Sequence, residues 1–152
     1  MKTPLKIVII LAIAVLVTGY FVIHSFFQTP QAAFKRFIAK PIPISVHSLE
    51  EGHFLAMDST FWALHFQISK MDLDSILNTQ HFAPIEENPE FKEYDQKEKY
   101  LFYWKERIYS SAKLDVNLAN SWQIVFLKEV NGTKYFFFDT NSTEAVFVAE
   151  AH

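Results

Sequence analysis

The sequence predicts an α+β protein, in which a single N-terminal transmembrane helix precedes a small domain with a mainly antiparallel sheet. Three observations favour this class: an uncharged apolar stretch near the N-terminus, later segments in which apolar residues alternate, and a C-terminal run of three such segments. We expect one or two short helices to pack on the sheet. The predicted organisation is a transmembrane anchor over 1–28, a juxtamembrane amphipathic stalk over 29–40 and a soluble α+β domain over 41–152.

The predicted anchor is the uncharged stretch over 7–27. As a helix it would measure about 31 Å at roughly 1.5 Å per residue, enough to cross a hydrocarbon core. A cleaved signal peptide is the alternative, but the apolar run is too long and no clean cleavage site follows it. Lys2 and Lys6 favour a cytoplasmic N-terminus and an extracytoplasmic domain, whereas Lys35, Arg36 and Lys40 favour the reverse but lie further from the span. We therefore expect a signal anchor and a single-pass protein of the cell envelope, in contact with the membrane lipid bilayer.

The predicted stalk has apolar residues at helical spacing, at Phe34, Phe37 and Ile38. Thr29 suits the cap of a helix, and Pro30 suits its first position. Two interpretations stay open. The helix either lies in the membrane interface or is a linker helix that packs on the domain.

The first part of the domain predicts two strands and a helix. Residues 44–49 alternate weakly, Glu51-Gly52 reads as a turn, and residues 61–69 alternate with the period of a strand that has one buried face. Ser69, with an acidic residue three positions later, indicates a helix cap. We therefore expect a short helix over about 70–78.

The middle of the domain gives weaker signals. The polar stretch over 84–99 predicts an exposed loop, with a helix that opens at Asn88-Pro89 and turns Phe91 and Tyr94 inward. Residues 100–108 are densely apolar and fit either a helix or a strand.

The C-terminal part predicts a three-strand meander. Two β-rich runs flank Asn131-Gly132, and this dipeptide is typical of a type I′ turn with positive φ at both positions. A two-residue turn there pairs Glu129 with Lys134, which are opposite in charge. Residues 144–149 then form the third strand.

Composition and charge exclude several classes of function. The chain has no Cys, so a disulfide, a thiolate nucleophile and a Cys-ligated zinc are impossible. Five of the 14 basic residues and none of the 17 acidic residues precede residue 41, so the remainder carries 9 − 17 = −8. An acidic domain argues against nucleic acid, because phosphate backbones need a basic face. We predict no nucleic-acid partner and no cofactor.

The candidate metal ligands are His47, His53, Asp58 and His65, which would converge if the first two strands form a hairpin. The simpler interpretation is that these are ordinary strand and loop residues. No motif indicates a catalytic residue, so none is predicted.

A loose pattern also connects parts of the domain. Its elements are Pro43-Ile44-Ser45, Asp58, Leu64-His65-Phe66, Asp72-Leu73-Asp74, Ile76-Leu77 and Phe138-Asp139. The pattern resembles a family of small bacterial proteins that are exported or tethered to a membrane and have no known activity. The resemblance implies export and an α+β domain, and it implies no site residues.

From these observations we expect a non-enzymatic, membrane-anchored envelope protein whose extracytoplasmic domain binds a protein partner. The surplus of aromatic residues on both faces of the strands favours such a surface. The alternative is a small module that binds an apolar ligand or a lipid in a pocket between the sheet and the helices.

Overall fold

The computed structural model describes residues 9–19, 29–55, 59–94, 96–141 and 143–151. Besides a helical stretch over 9–19, the described ranges contain the helices α1 (Pro30–Phe37), α2 (Lys70–Gln80) and α3 (Lys97–Ala112). Two short 3₁₀ helices cover Ile85–Glu87 and Phe91–Glu93. The strands are β1 (His47–Leu55), β2 (Thr60–Gln67), β3 (Ala83–Pro84), β4 (Trp122–Glu129), β5 (Gly132–Asp139) and β6 (Glu144–Ala151).

The strands form one six-stranded sheet in the order β1-β2-β6-β5-β4-β3, and every neighbouring pair is antiparallel. The N-terminal hairpin β1–β2 joins the C-terminal meander β4–β5–β6 through the ladder between β2 and β6. The predicted α+β class and the predicted meander are confirmed.

Each face of the sheet carries its own core. On the first, which we call the α3 face, Trp104 and Ile108 of α3 lie in one cluster with Tyr135 and Phe137 of the sheet. The second is the α1/α2 face, where the helix residues Phe34, Leu73 and Ile76 pack on the other side of the same strands. The strand residues of this cluster include Leu64, Phe66, Phe136 and Phe147. Both faces of β2 are therefore buried, whereas the sequence predicted one.

The structure contradicts the predicted transmembrane helix. In the part of the chain that the structure describes, no helix combines the length and the apolar content that a bilayer requires. Residues 7–8 and 20–27 of the predicted span lie outside the described residues. Three predictions that depend on this helix are therefore wrong as well: the signal anchor, the single-pass topology and the placement of the two ends across a membrane. Hydropathy counts apolar residues and does not specify one continuous helix.

The helix predicted for the stalk is α1, and it belongs to the domain core. The Thr29 side chain accepts a hydrogen bond from the Ala32 amide, and Pro30 is the first helical residue. Phe34 is fully buried, and its ring centroid lies 5.1 Å from that of Phe66. Of the two interpretations, the structure has the helix packed on the sheet.

The N-terminal hairpin differs from its prediction in the first strand. β1 runs from His47 to Leu55, straight through Glu51-Gly52, which the sequence predicted as a turn. The helix after β2 begins as predicted, since the Ser69 side chain accepts a hydrogen bond of 3.2 Å from the Asp72 amide.

The region before α3 also corrects the prediction. No helix opens at Asn88-Pro89; the Asn88 side chain instead accepts a hydrogen bond from the Glu90 amide in a turn, and α3 begins at Lys97. Residues 100–108, for which two readings were open, are helical. Phe91 and Tyr94 do point inward, with ring centroids 5.1 and 5.0 Å from that of Tyr100.

The register of the β4–β5 hairpin is shifted by two residues from the predicted one. Glu129 pairs with Gly132 rather than with Lys134. Neither Asn131 nor Gly132 has a positive φ, so the turn is not type I′. A Cβ atom on Gly132 would lie 1.9 Å from the Glu150 carbonyl oxygen. Glycine is therefore required here by the close approach of β6.

Candidate functional site

A cleft of about 900 Å³ lies between α3 and the sheet, at the end where β1 meets β2. We call it the groove. The residues that line it are Phe54, Ser59, Thr60, Phe61, Phe102, Tyr103, Glu106, Arg107, Ser110, Ser111 and Glu150.

The sheet contributes a row of three side chains to the groove. Phe54 of β1 is directly opposite Phe61 of β2, which in turn is opposite Glu150 of β6. Directly opposite residues of antiparallel strands project to the same face. The row therefore crosses three strands on the α3 face and ends in a carboxylate.

One side of α3 lines the groove. Trp104 and Ile108 are buried against the sheet. Tyr103, Arg107 and Ser110 follow one another at spacings of four and three residues, so they share a neighbouring side of the helix. This side turns toward the hairpin and closes the groove opposite the row of strand residues.

Arg107 forms the floor of the groove. Its Nη2 lies 2.5 Å from Oε1 of Glu150, and its Nη1 donates a hydrogen bond of 2.6 Å to the Tyr103 hydroxyl. The guanidinium carbon lies 5.7 to 5.8 Å from the ring centroids of Phe61, Tyr103 and Trp104, within range of cation–π attraction. Partial burial lowers the pKa of Arg107, but attraction to Glu150 and Tyr103 outweighs it and leaves the pKa above its ordinary value. The guanidinium stays charged and is held in one place.

The rim of the groove is aromatic and faces solvent. Phe54 is 51% exposed, Phe102 is 65% exposed and Tyr103 is 36% exposed. Large apolar side chains that cluster at a surface are typical of binding sites. The Ser110 hydroxyl donates to the Arg107 carbonyl, so it serves the helix. No histidine is among the described residues that line the groove.

The predicted metal ligands are not brought together. His65 is opposite Glu50 in the β1–β2 ladder, whereas His53 is opposite Trp62. His65 and Trp62 are three residues apart on one strand, so their side chains project to opposite faces. His65 lies on the α3 face and His53 lies on the α1/α2 face.

Each of these histidines has its own neighbours. His65 Nε2 lies 2.6 Å from Oε1 of Glu144, and its Nδ1 lies 3.7 Å from Oε2 of Glu50. His53 Nδ1 lies 3.0 Å from Oε1 of Glu51, and its ring stacks on Trp62 at 4.5 Å. Both therefore have acidic partners that account for their positions.

The other two candidate ligands add no site. His47 Nδ1 lies 2.6 Å from the Ser45 carbonyl oxygen, and Asp58 lies outside the described residues. Among the residues that the structure describes, no three histidines or acids are arranged to hold a metal ion.

The sequence reading missed Phe102, Tyr103, Arg107 and Glu150. A signal for the helix residues was available, because buried apolar residues recur at helical spacing at Tyr100, Leu101, Trp104, Ile108 and Ala112. Reading that stretch as a helix would have placed Tyr103 and Arg107 together on its other side. No local signal could have placed Glu150 beside them, since it comes from a distant strand.

Protein-family models, curated proteins and solved structures were all compared with this chain, and none of the three comparisons gives a match.

Proposed function

We propose that this domain binds a segment of a partner protein in the groove between α3 and the β1–β2 hairpin. The observation that carries the proposal is the pair of solvent-facing rings, Phe54 and Phe102, above a floor held rigid by Arg107. Aromatic residues and arginine are enriched at protein interfaces and carry much of their binding energy.

The charge of the groove supports a protein segment with apolar side chains. Arg107 is already paired with Glu150, so the floor offers little net charge to a ligand. Residues 41–152 carry a formal charge of −8, with 9 basic and 17 acidic residues, which disfavours nucleic acid. An apolar side chain entering between the two rings would bury area that is now in water, at about 25 cal/mol per Å².

The proposal is tested by capture with two matched variants. The groove variant combines Phe54→Ala and Phe102→Ala, and both positions are exposed, so the fold should persist. The control is Met71→Ala on α2, which is 78% exposed and lies on the opposite side of the sheet. After crosslinking in cells, wild type and control should retain the same partner, and the groove variant should lose it.

The partner must then bind in purified form. We expect the groove variant to bind it at least about tenfold more weakly than wild type, a loss of about 1.4 kcal/mol. Circular dichroism of both variants checks the fold. Equal affinity of the groove variant and the control would overturn the proposal, as would the absence of any partner common to wild type and control.

A second candidate function is the binding of a small apolar ligand, favoured by a cleft of about 420 Å³ between α2 and the ends of β4, β5 and β6. Its apolar lining includes Leu73, Leu77, Phe82 and Phe138, and its volume is in the range of ligand pockets. Native mass spectrometry should detect a bound small molecule in wild type and not after Asn78→Trp, which would fill the rim. An unliganded mass under conditions that keep other ligands bound would dispose of this candidate.

A further inference from the structure

Among the described strands, β1 lies at one edge of the sheet. β1 has nine residues and forms a ladder only with β2, and no other described backbone group is hydrogen-bonded to it. The opposite edge of the sheet is β3, which has two residues and contains Pro84, a residue without a backbone N–H. Exposed edges are usually shortened or otherwise protected. β3 is protected in this way, and β1 is not shortened.

We propose that the partner segment binds as an added antiparallel strand along β1 and directs one side chain into the mouth of the groove beside Phe54. This inference rests on the proposed function and names the form of the partner: an extended peptide. Strand addition of this kind takes its affinity from main-chain hydrogen bonds and its specificity from alternate side chains. The added residue would lengthen the row that Phe54, Phe61 and Glu150 form across the sheet.

The side chains of β1 define which peptide fits. Glu50, Gly52 and Phe54 alternate along the strand and share the α3 face. Residues of an added strand that lie opposite these three would share that face too.

Each of the three positions selects a different residue. Phe54 is half exposed and favours an aromatic or large apolar neighbour. Gly52 lies against the end of α3, at Ala112, so the residue opposite it has to be small. The Glu50 side chain is 67% exposed and favours Lys or Arg. In antiparallel orientation the peptide pattern is aromatic, any residue, small, any residue, basic.

A second copy of the chain fits this edge less well. Two β1 strands that pair antiparallel about Gly52 would place Glu50 of one copy against Phe54 of the other, so Glu50 would gain no basic neighbour from the second copy. The part of β1 that can pair regularly is also limited, because Ser48 has a φ of 51° and the ladder is irregular between His47 and Glu50. The regular edge is Glu50 to Leu55.

The probe is the peptide Thr-Phe-Thr-Ala-Thr-Lys-Thr, used with the full chain at about 1 mM because a single short strand binds weakly. The control peptide has the same sequence, but the backbone nitrogens on the edge that would face β1 are methylated. Methylation removes the N–H donors of that edge and keeps every side chain. We expect the first peptide to slow amide exchange in β1 and the methylated one to leave it unchanged.

A charge exchange tests the register. Glu50→Lys should weaken binding of the lysine peptide about fivefold, and a peptide with glutamate in place of lysine should regain most of that loss. The matched control is Glu86→Lys, an exposed position in the first 3₁₀ helix, which should leave both peptides unaffected.

The outcomes separate this inference from the proposed function. If the partner is captured by wild type and lost by the Phe54→Ala, Phe102→Ala variant, while β1 exchange does not change with peptide or partner, the groove binds a partner and strand addition is wrong. If β1 becomes protected with increasing protein concentration and no peptide, the occupant is a second copy, and the inference is overturned. If no partner is found and no peptide binds, both proposals fail.

Discussion

Gly52 of β1 lies directly against the last residue of α3, Ala112. A Cβ atom on Gly52 would be 1.9 Å from the Ala112 carbonyl oxygen and 2.7 Å from its carbonyl carbon. Gly52 does not have a positive φ, so the glycine is required by this contact and not by its backbone conformation. The contact sets how closely the end of α3 approaches the edge of the sheet, and it thereby sets one end of the groove.

Gly52→Ala should destabilise the domain by about 2 kcal/mol or more, because the clashing atoms belong to the backbone of a helix and cannot rotate away. The measurement is the midpoint of urea unfolding. Glu50→Ala, an exposed change two residues away on the same strand, controls for the strand and should cost less than about 0.5 kcal/mol. Equal midpoints for the two variants would mean that the end of α3 is free to shift.

Glycine explains much of what sequence reading could and could not predict. Gly52 follows Glu51 and Gly132 follows Asn131, and both glycines were read as turn residues. In the structure, a Cβ atom on either glycine would lie 1.9 Å from a carbonyl oxygen of another element. Local sequence cannot distinguish a glycine that is needed for a turn from one that is needed for close approach. This ambiguity misplaced β1 and shifted the β4–β5 register.

Patterns that depend only on local geometry were read correctly. The existence of strand β2 and the Ser69 cap are set by neighbouring residues, and both are present; the burial of the second face of β2 depends on α3 and was not predicted. The groove joins Arg107 of α3 to Glu150 of β6, a contact between distant parts of the chain. The candidate site therefore could not be predicted from either segment alone.

A buried acid should make stability depend on pH. The Glu51 side chain is 5% exposed; burial raises its pKa, and the contact with His53 lowers it by less. The folded chain therefore keeps a proton on Glu51 over a pH range in which the unfolded chain has lost it. The contribution of Glu51 to the free energy of unfolding is most favourable below its unfolded pKa and is lost as the pH rises through its folded pKa.

Glu51→Gln should therefore gain stability over wild type as the pH rises from about 4 to about 7, because glutamine cannot ionise. The measurement is the free energy of unfolding by urea at several pH values. Glu86→Gln, an exposed acid, should track wild type at every pH. A constant difference between Glu51→Gln and wild type would show that Glu51 has the same pKa in the folded and unfolded chains.

Two tyrosines should resist ionisation in the folded chain. Tyr100 and Tyr135 are each 1% exposed. Burial raises the pKa of Tyr135 to about 12 and raises that of Tyr100 further, and each pKa is also raised by the charge of Glu90. At about pH 11, at least two of the six tyrosines should be un-ionised in the native protein. Its phenolate absorbance should therefore be lower than that of the unfolded chain by at least two phenolates.

A variant assigns part of that difference. Tyr135→Phe should leave the native absorbance at about pH 11 unchanged, because Tyr135 is un-ionised there. Because the folded pKa is raised, the stabilising contribution of Tyr135 is fully present below about pH 10 and is lost as the pH rises toward its folded pKa. A loss of one phenolate of native absorbance on Tyr135→Phe would contradict the burial of Tyr135.

The ion pair on the floor of the groove should be worth more than an ion pair at the surface. Arg107 and Glu150 are 36% and 10% exposed, and Lys134 and Glu129 in the β4–β5 hairpin are 17% and 47% exposed at a similar separation. A double-mutant cycle with alanine should give a coupling energy of about 1 to 2 kcal/mol for the first pair. The second should give about 0.5 kcal/mol and lose it at about 1 M salt, because exposed charges are screened.

Arg107→Lys separates geometry from charge at the same place. The guanidinium reaches Glu150 with one nitrogen and Tyr103 with the other, whereas a single ammonium offers no planar fork. Lysine should therefore recover less than half of the stability lost on Arg107→Ala, even though it restores the charge. Full recovery by lysine, or a coupling energy no larger than that of the hairpin pair, would mean that the floor of the groove is not rigid.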